Sequence, residues 1–266
     1  MAKRKLTKQQ QARIKKQQDA HHVQTDKQAN STHESGLPGK VIANHGKTVL
    51  VEDQKNQVFT CHLRQNLDTL VCGDQVIWQQ ENENTGVVLA LSPRKNFLAR
   101  PDNRGKAKVV AANIDQLLIV SAVKPALNTR LIDRYLVAAE TAGITPIILF
   151  NKIDLPDKNS MQEFKEQLSV YTRLGYELIF TCTKQASGLD ELLPVLSNKI
   201  SAFVGQSGVG KSSLINTLLP EAKAEVADIS SSTNKGRHTT TLTQLYHLPN
   251  GGNLIDSPGI REFGLW

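Results

Sequence analysis

The chain has 266 residues, 39% of them hydrophobic, and a net charge of +7, which is enough length for about two globular domains. Its mean hydropathy is −0.33, and no apolar stretch approaches the ~20 residues of a membrane span, so no membrane association is predicted. The basic N-terminus has no apolar core behind it and is therefore not a predicted secretory signal. Three scattered cysteines without C-x-x-C spacing, Cys61, Cys72 and Cys182, favour a reducing cytoplasm and predict no zinc site.

Most of the positive charge lies in residues 1–36, which hold eight Lys or Arg against three Asp or Glu, a net charge of +5. The large apolar residues there are Leu6, Ile14 and Val23. Burying this small apolar surface cannot offset the conformational entropy that the chain would lose on folding. The segment is therefore predicted to be a basic tail that is disordered in isolation. A tail of this kind fits phosphate neutralisation on nucleic acid, and equally a solvated segment that aids solubility.

Residues 37–93 contain five short runs rich in β-branched and aromatic residues, separated by turn residues. The predicted strands are 39–43, 48–52, 57–61, 75–78 and 85–91. This spacing predicts a small closed barrel, most simply an OB-like fold, which binds RNA in some proteins and is a plain spacer in others. Five basic residues could follow an RNA backbone, although each alone is more typical of a solvated charge: Lys47, Lys55, Arg64, Arg94 and Lys95.

Residues 94–109 are polar and basic and are predicted to be a linker. Residues 110–266 then alternate apolar runs with helical periodicity. The predicted strands are 114–120, 145–150, 178–180, 201–204, 241–248 and 253–255, and the predicted helices are 130–142, 161–174, 189–200 and a last one from Lys211. This alternation predicts an α/β doubly wound sheet, whose ligands bind outside the carboxyl ends of the strands.

A G-x-x-x-x-G-K-S pattern lies between the strand 201–204 and the helix that follows it. Its residues are Gly205, Gln206, Ser207, Gly208, Val209, Gly210, Lys211, Ser212 and Ser213. The glycines let consecutive N–H groups converge on a phosphate, and the helix N-terminus adds its dipole. Lys211 would reach the outer phosphates, and the Ser212 hydroxyl would bind Mg²⁺. The pattern predicts a nucleotide site; the alternative is a glycine-rich turn before a helix.

A base-selecting motif, Asn151-Lys152-Ile153-Asp154, directly follows the predicted strand 145–150. The Asp154 carboxylate can accept two N–H bonds from guanine, at N1 and at the 2-amino group, which adenine cannot offer. Lys152 would lay its alkyl stem along the base, and Asn151 would connect the loops. Alone, four residues are a weak signal, and an ordinary turn is the alternative.

A third motif, Asp256-Ser257-Pro258-Gly259, follows the predicted strand 253–255. Asp256 would hold Mg²⁺ through water, and the Gly259 N–H would meet the γ-phosphate. The polar segment 236–241 precedes it, and one of its threonines, of which we choose Thr240, would complete the Mg²⁺ shell. Together, the three motifs predict GTP, GDP and Mg²⁺ as ligands.

The motifs occur in an unusual order, because the base-selecting motif begins 54 residues before the phosphate loop. A circular permutation keeps such a pocket intact, since all of its loops emerge at one edge of the sheet. This order, behind a small barrel, resembles the bacterial ribosome small-subunit-dependent GTPase A family over about residues 37–266. Further matches are V-C-G-D at 71–74, L-A-R-P at 98–101 and D-R-Y-L at 133–136. The expected fold is thus α/β, an N-terminal OB-like β-barrel followed by a circularly permuted P-loop GTPase domain.

The resemblance implies a cytoplasmic GTPase that acts late in small-subunit maturation, is stimulated by the small ribosomal subunit and binds ribosomal RNA; we expect a monomer. It places the base-capping loop at Thr181-Cys182-Thr183, in place of the commoner Ser-Ala-Lys, with a backbone N–H donor for guanine O6. The family pattern usually ends in a zinc-binding module of cysteines and a histidine. This chain stops seven residues after Gly259 without such a cluster or the helix expected there, so no zinc ligands are predicted in it.

Hydrolysis requires a positioned water in line with the γ-phosphate. Many GTPases place a catalytic glutamine after the glycine of the third motif, whereas this chain has Ile260, which cannot orient water. We therefore expect slow turnover without a partner, with His238 positioning the water once the ribosome orders its loop; a solvent-exposed loop histidine is the alternative.

Three functions fit this sequence to different degrees. The preferred one is a GTPase whose cycle times its release from the small subunit. The alternative is a GTP-dependent, rRNA-binding chaperone with little turnover because the C-terminal region is missing. The third, a metabolic phosphate-loop kinase, is disfavoured by the base-selecting motif.

Overall fold

A computed structural model describes residues 36–64, 67–101, 107–185, 187–219 and 243–256. The first five strands are β1 (Leu37–Asn44), β2 (Thr48–Glu52), β3 (Val58–Leu63), β4 (Gln75–Gln80) and β5 (Thr85–Leu91). A hairpin follows, made of β6 (Phe97–Pro101) and β7 (Ala107–Ala112). The remaining strands are β8 (Gln116–Ala122), β9 (Thr145–Asn151), β10 (Glu177–Thr181), β11 (Ile200–Gly205), β12 (Gln244–His247) and β13 (Asn253–Asp256). The helices are α1 (Thr129–Ala142), α2 (Lys158–Arg173), α3 (Leu192–Leu196) and α4 (Lys211–Leu218).

Strands β1 to β5 form a closed barrel in the order β1-β2-β3-β5-β4, and the pairing of β4 with β1 completes the ring. All neighbours are antiparallel except β3 and β5, which are parallel. The inward side chains form a separate apolar core around the fully buried Trp78, whose ring lies 4.5 Å from that of Phe59. Valines packed around Trp78 and Phe59 make up most of this core, so side chains fill the interior, as expected for a barrel of this size.

The second part of the sheet has the order β10-β9-β8-β11-β13-β12. Its first five strands are parallel, and β12 runs antiparallel to β13. Strand β12 also pairs with barrel strand β1 at Ala43 and Gln244, so one hydrogen-bonded sheet continues from this part into the barrel.

Helices cover both faces of the parallel strands, and β8 is buried at every position. Leu117 and Ile119 of β8 point into the core beneath α1 and α2, whereas Leu118 and Val120 point into the core beneath α3 and α4. This two-sided burial explains why β8 is a continuous apolar run in the sequence.

Local signals determine where α1 begins and ends. The Asn128 side chain accepts a hydrogen bond from the Leu131 N–H at 3.1 Å, which caps the N-terminus. Gly143 ends the helix in the left-handed conformation, with φ 67°. The helix therefore lies within one residue of its predicted bounds.

Two expectations about secondary structure were wrong. The predicted helix 189–200 is reduced to the five residues Leu192–Leu196, because Asn198 takes a left-handed φ of 55° and β11 begins at Ile200. The predicted linker 94–109 contains most of the β6–β7 hairpin. Because basic residues dominate this segment, its strands were not predicted, although Leu98 of β6 is fully buried against the main core. Within the described ranges, no helix is both long enough and apolar enough to cross a membrane.

Candidate nucleotide-binding site

The predicted site residues lie at the carboxyl ends of neighbouring parallel strands. Strand β9 ends at Asn151, β10 at Thr181, β11 at Gly205 and β13 at Asp256. Thr181 and Asn151 are paired in register, and Gly205 is paired with Val120 of β8. The topology thus brings the base-selecting motif and the phosphate loop to one edge of the sheet, where ligands of open α/β folds bind.

The phosphate loop needs glycine at two close approaches. Gly205 has φ 138° and Gly210 has φ 101°, values that side chains rarely permit. A Cβ at Gly205 would collide with the Val120 carbonyl oxygen, and a Cβ at Gly210 would collide with the Asn151 amide nitrogen. The loop can therefore pass between β8 and the base-selecting motif only with these glycines.

Lys211 is the first residue of α4 and is only 7% exposed. Its Nζ donates hydrogen bonds to the carbonyl oxygens of Gly205 at 2.6 Å and Gln206 at 2.7 Å. These bonds fold the side chain back over the loop and hold a buried positive charge where phosphate oxygens would bind.

A cleft of about 740 Å³ opens over the loop. It is lined by Leu131, Tyr135, Lys152, Gly205, Gln206, Ser207, Gly208, Gly210, Lys211, Ser212 and Ser213. Val209 of the same loop is turned inward and packs in the core beneath α3 and α4. The remaining loop residues thus surround a space of nucleotide size.

Sequence reasoning did not give Tyr135 a role at this site. Tyr135 lies on the buried side of α1, and its side chain contacts the Gly205 backbone. Burial raises the pKa of its hydroxyl above the ordinary value. The signal was the four-residue spacing of Leu131 and Tyr135, which places both on one side of α1 facing the loop.

Asn151 connects three segments of the site. It is 1% exposed, its Nδ2 donates to the Val209 carbonyl at 2.9 Å, and its Oδ1 accepts from the Thr181 hydroxyl at 3.2 Å. Both ends of the amide are therefore satisfied inside the protein, which holds the ends of β9 and β10 against the phosphate loop.

Lys152 spans the space between two loops. Its backbone is left-handed, with φ 65°, and its Nζ donates to the carbonyl oxygens of Lys124 at 2.7 Å and Gly208 at 2.6 Å. The next residue, Ile153, donates its N–H to the Thr181 carbonyl at 3.5 Å. The alkyl stem of Lys152 is thus held beside the phosphate loop, in the wall of the cleft.

Asp154 lies in the wall of an adjoining cavity of about 260 Å³, with Thr183 and Lys184. Its Oδ1 accepts a hydrogen bond from the Cys182 thiol at 3.3 Å, and its Oδ2 lies 3.3 Å from the Lys184 ammonium. The thiol bond above all, aided by Lys184, lowers the pKa of this carboxyl below its ordinary value. The Asp154 side chain is therefore an ionised acceptor at the position where a base would enter.

The base-capping loop differs from the expected arrangement. The Cys182 N–H donates to the Gly188 carbonyl at 3.0 Å and so is not available to a base. Thr181 is fully buried, with its hydroxyl on Asn151. Of the three residues of the predicted loop, Thr183 lines the cavity, together with the following residue Lys184.

Asp256 is the last residue of β13, and it pairs in register with Gln244 of β12. His238, Thr240 and Gly259 lie outside the described residues. The described part of the chain contains no group of three or more His, Cys, Asp and Glu residues that could hold a metal ion. Mg²⁺ at a nucleotide usually takes only one or two protein ligands, and the exposed Ser212 in the cleft wall fits that requirement.

Comparisons with known proteins agree with this geometry. The family model described as RsgA GTPase matches residues 91–266. The chain is 50% identical over 281 residues to the Small ribosomal subunit biogenesis GTPase RsgA of Hahella chejuensis, covering 100% of this chain and 80% of that protein. The protein of the same name from Haemophilus influenzae is 45% identical over 274 residues, with coverage of 100% and 79%.

Two solved structures share the fold. YjeQ from Thermotoga maritima has a TM-score of 0.68 at 33% identity, covering 85% of this chain and 75% of that one. YloQ, described as a circularly permuted GTPase, has a TM-score of 0.66 at 31% identity, with coverage of 86% and 74%. These matches confirm the predicted fold class, an OB-like barrel followed by a circularly permuted GTPase domain. The chain therefore belongs to the RsgA GTPase family.

Proposed function

We propose that this GTPase binds GTP with Mg²⁺ and hydrolyses it during biogenesis of the small ribosomal subunit. The observation that carries the proposal is the meeting of Lys211 and Asp154 at one edge of the sheet, with the phosphate loop between them. The printed name of the relatives at 45–50% identity, Small ribosomal subunit biogenesis GTPase RsgA, supports the cellular process.

In this proposal the phosphate loop binds the phosphates. The N-terminus of α4 and the loop N–H groups supply donors, and Lys211 would exchange its bonds to Gly205 and Gln206 for phosphate oxygens. A positive charge that is already desolvated stabilises developing negative charge without reorganisation, which is how phosphoryl transfer is accelerated.

Asp154 would select the base. Its ionised carboxylate would accept from guanine N1–H and the 2-amino group, and adenine would leave those acceptors unpaired. Lys152, held along the cleft wall, would cover one face of the ring. Thr183, which lines the cavity beside Asp154, is our candidate within the predicted loop for the backbone donor to guanine O6.

Ser212 and Thr240 would bind Mg²⁺ directly and Asp256 would hold it through water; when bound, the ion supplies charge neutralisation at the phosphates. Gly259 would donate its N–H to the γ-phosphate, and His238 would position the attacking water. Because Ile260 cannot orient water, turnover would be slow without the small subunit and faster when the bound subunit places His238 beside the γ-phosphate.

We further propose that the protein works in the cytoplasm as a monomer, late in small-subunit maturation, and contacts ribosomal RNA. The basic tail at residues 1–36 and exposed lysines of the barrel, such as Lys47 and Lys55, supply the charge for phosphate contacts. Such binding would weaken steeply with salt.

The test is GTP hydrolysis by the purified chain with and without small ribosomal subunits, with ATP as the control nucleotide. Stimulation by the subunits, with preference for GTP, is the expected result. Tight GTP binding without stimulation would favour a GTP-dependent RNA chaperone. No preference for GTP over ATP would overturn the guanine site itself.

The His238→Ala variant tests the water-positioning role. We expect it to lower subunit-stimulated turnover by about 10²-fold, because general-base groups contribute factors of this order, while GTP affinity stays near the wild-type value. The His45→Ala variant, which removes an exposed histidine of the β1–β2 turn, is the control. Wild-type stimulated turnover in His238→Ala would remove His238 from the mechanism.

A further inference from the structure

Tyr135 connects helix α1 to the phosphate loop. Its ring belongs to the main apolar core, and the residue is only 4% exposed. Its hydroxyl is hydrogen-bonded to the backbone of Gly205, the last residue of β11. A buried tyrosine combines an apolar ring with a polar end that usually takes a partner. Here that partner is the residue at which the phosphate loop begins.

The hydroxyl oxygen of Tyr135 accepts this hydrogen bond. Burial raises the pKa of Tyr135, and the hydrogen bond with Gly205 lowers that pKa. A hydrogen bond lowers the pKa of an acid when it is donated to the oxygen that becomes charged, and the backbone donor is the N–H group. The Gly205 N–H is therefore the donor.

Gly205 is held from two other sides as well. It is paired with Val120 of β8, so closely that a Cβ at Gly205 would collide with the Val120 carbonyl oxygen. Its own carbonyl oxygen accepts a hydrogen bond from Lys211 Nζ at 2.6 Å. Tyr135 and Lys211 thus bind the two polar groups of one glycine, a residue type whose backbone is otherwise the least restricted.

The position of Gly205 determines where the Lys211 ammonium lies. The lysine stem is flexible, so its direction is set by its acceptors, which are the carbonyl oxygens of Gly205 and the next residue, Gln206. A shift of Gly205 would move both acceptors. A positive charge stabilises a transition state best when its position is fixed before the reaction begins.

We infer that Tyr135 is a positioning residue for GTP hydrolysis, because its hydroxyl fixes Gly205 and, through Gly205, the ammonium of Lys211. This role rests on the proposed function and adds a residue of α1 to it. The alternative is that Tyr135 serves core packing alone, for which the ring would be sufficient. The two roles differ in what the hydroxyl contributes.

The Tyr135→Phe variant removes the hydroxyl and keeps the ring. In single-turnover GTP hydrolysis by the full chain, we expect the rate to fall about fivefold, in line with one hydrogen bond. GTP affinity should stay within about twofold of the wild type, because the ammonium remains in the site and is only less well fixed for the transition state. The matched control is Tyr171→Phe, which removes the hydroxyl of an equally buried tyrosine that donates to Asp133 instead, at 2.8 Å, and should leave the rate unchanged.

A double variant tests whether the hydroxyl acts through Lys211. In the Lys211→Ala background, Tyr135→Phe should change the hydrolysis rate less than about twofold, since the group that the hydroxyl positions is already absent. A purely structural defect would instead lower the rate by the same factor in both backgrounds. Equal losses in the two backgrounds would overturn the inference.

Hydrogen exchange of the phosphate-loop amides, measured without nucleotide, tests the same contact independently of the reaction. Tyr135→Phe should speed exchange in residues 205–210, and Tyr171→Phe should not, because only the first variant releases the Gly205 N–H. Wild-type turnover and wild-type loop exchange in Tyr135→Phe would contradict the positioning role, as would the same changes in Tyr171→Phe. Failure of the proposed function is distinct, because there the wild type itself would not hydrolyse GTP; the exchange rates would then still decide whether the hydroxyl holds the loop.

Discussion

The barrel and the parallel part of the sheet bury their strands in different ways. In barrel strands β3 and β4, buried and exposed positions alternate, because one face points into the barrel and the other into solvent. In β8 every position is buried, and in β9 every position except Thr145 is buried, because helices cover both faces. Strands β3 and β4 therefore have exposed positions along their length, whereas β9 has one only at its first residue.

This difference explains where each region can do chemistry. At the ends of parallel strands, side chains and loop backbones converge, and the surrounding core makes their positions rigid. Asn151, Thr181 and Gly205 are each at most a few residues from a fully buried stretch of strand. A barrel exterior offers a broad surface of separate charges, which suits phosphate contacts more than selective catalysis.

The two regions are joined edge to edge. Gln244 of β12 is paired with Ala43 of the barrel on one side and with Asp256 on the other. Beside this contact, the buried Glu52 of β2 is hydrogen-bonded to His247 of β12 at 2.5 Å.

The largest effect is expected from Lys211→Ala, which should impair GTP hydrolysis without destabilising the barrel. We expect GTP turnover to fall about 10³-fold, the loss typical of one preorganised charge-stabilising donor, because the loop loses its buried positive charge. Thermal unfolding should change little, since the apolar cores are untouched. Single-turnover hydrolysis and calorimetry measure the two quantities. Lys158→Ala, at an exposed lysine of α2, is the control, and retained turnover in Lys211→Ala would contradict the site.

The converse variant is Trp78→Ala, which should break the barrel alone. Removing this fully buried ring, together with its contact to Phe59, should lower the free energy of unfolding by about 3–5 kcal/mol. GDP affinity at low temperature should persist, because Trp78 lies in the barrel core. Denaturant titration with and without GDP provides the measurement. Phe97→Ala, at an aromatic ring that is 49% exposed, is the matched control. Complete loss of GDP binding would show that the regions are not separable.

The smallest effect is expected at the junction, from His247→Ala. Glu52 is 4% exposed, and within the described residues it forms ion pairs with His247 and Lys40. The variant would leave the pair with Lys40, at 3.9 Å. Stability should fall by about 1 kcal/mol, since His247 itself is half-exposed and water replaces part of the bond. Urea unfolding measures this change, with His45→Ala as the control. A loss as large as that of Trp78→Ala would mean that the junction, and not the barrel core, determines the stability of this region.

Local patterns predicted most of the architecture. Strands β2 and β5 and helix α1 lie within one residue of their predicted bounds, because alternation, helical periodicity and the Asn128 cap act between near neighbours. The predicted helix 189–200 failed where the left-handed Asn198 and the start of β11 ended it. The β6–β7 hairpin was missed because basic residues dominate the composition of its segment.

The phosphate loop, the base-selecting motif and their permuted order could be predicted without a structure, because each motif is a short run whose geometry depends on neighbouring residues. The contacts that complete the site depend on the fold. Three contacts join residues that are distant in the chain. Tyr135 contacts Gly205, Cys182 and Lys184 both contact Asp154, and Gln244 pairs with both Ala43 of the barrel and Asp256. Such contacts arise from strand order and packing, which no local spacing specifies, and they set the orientation of the groups that the motifs supply.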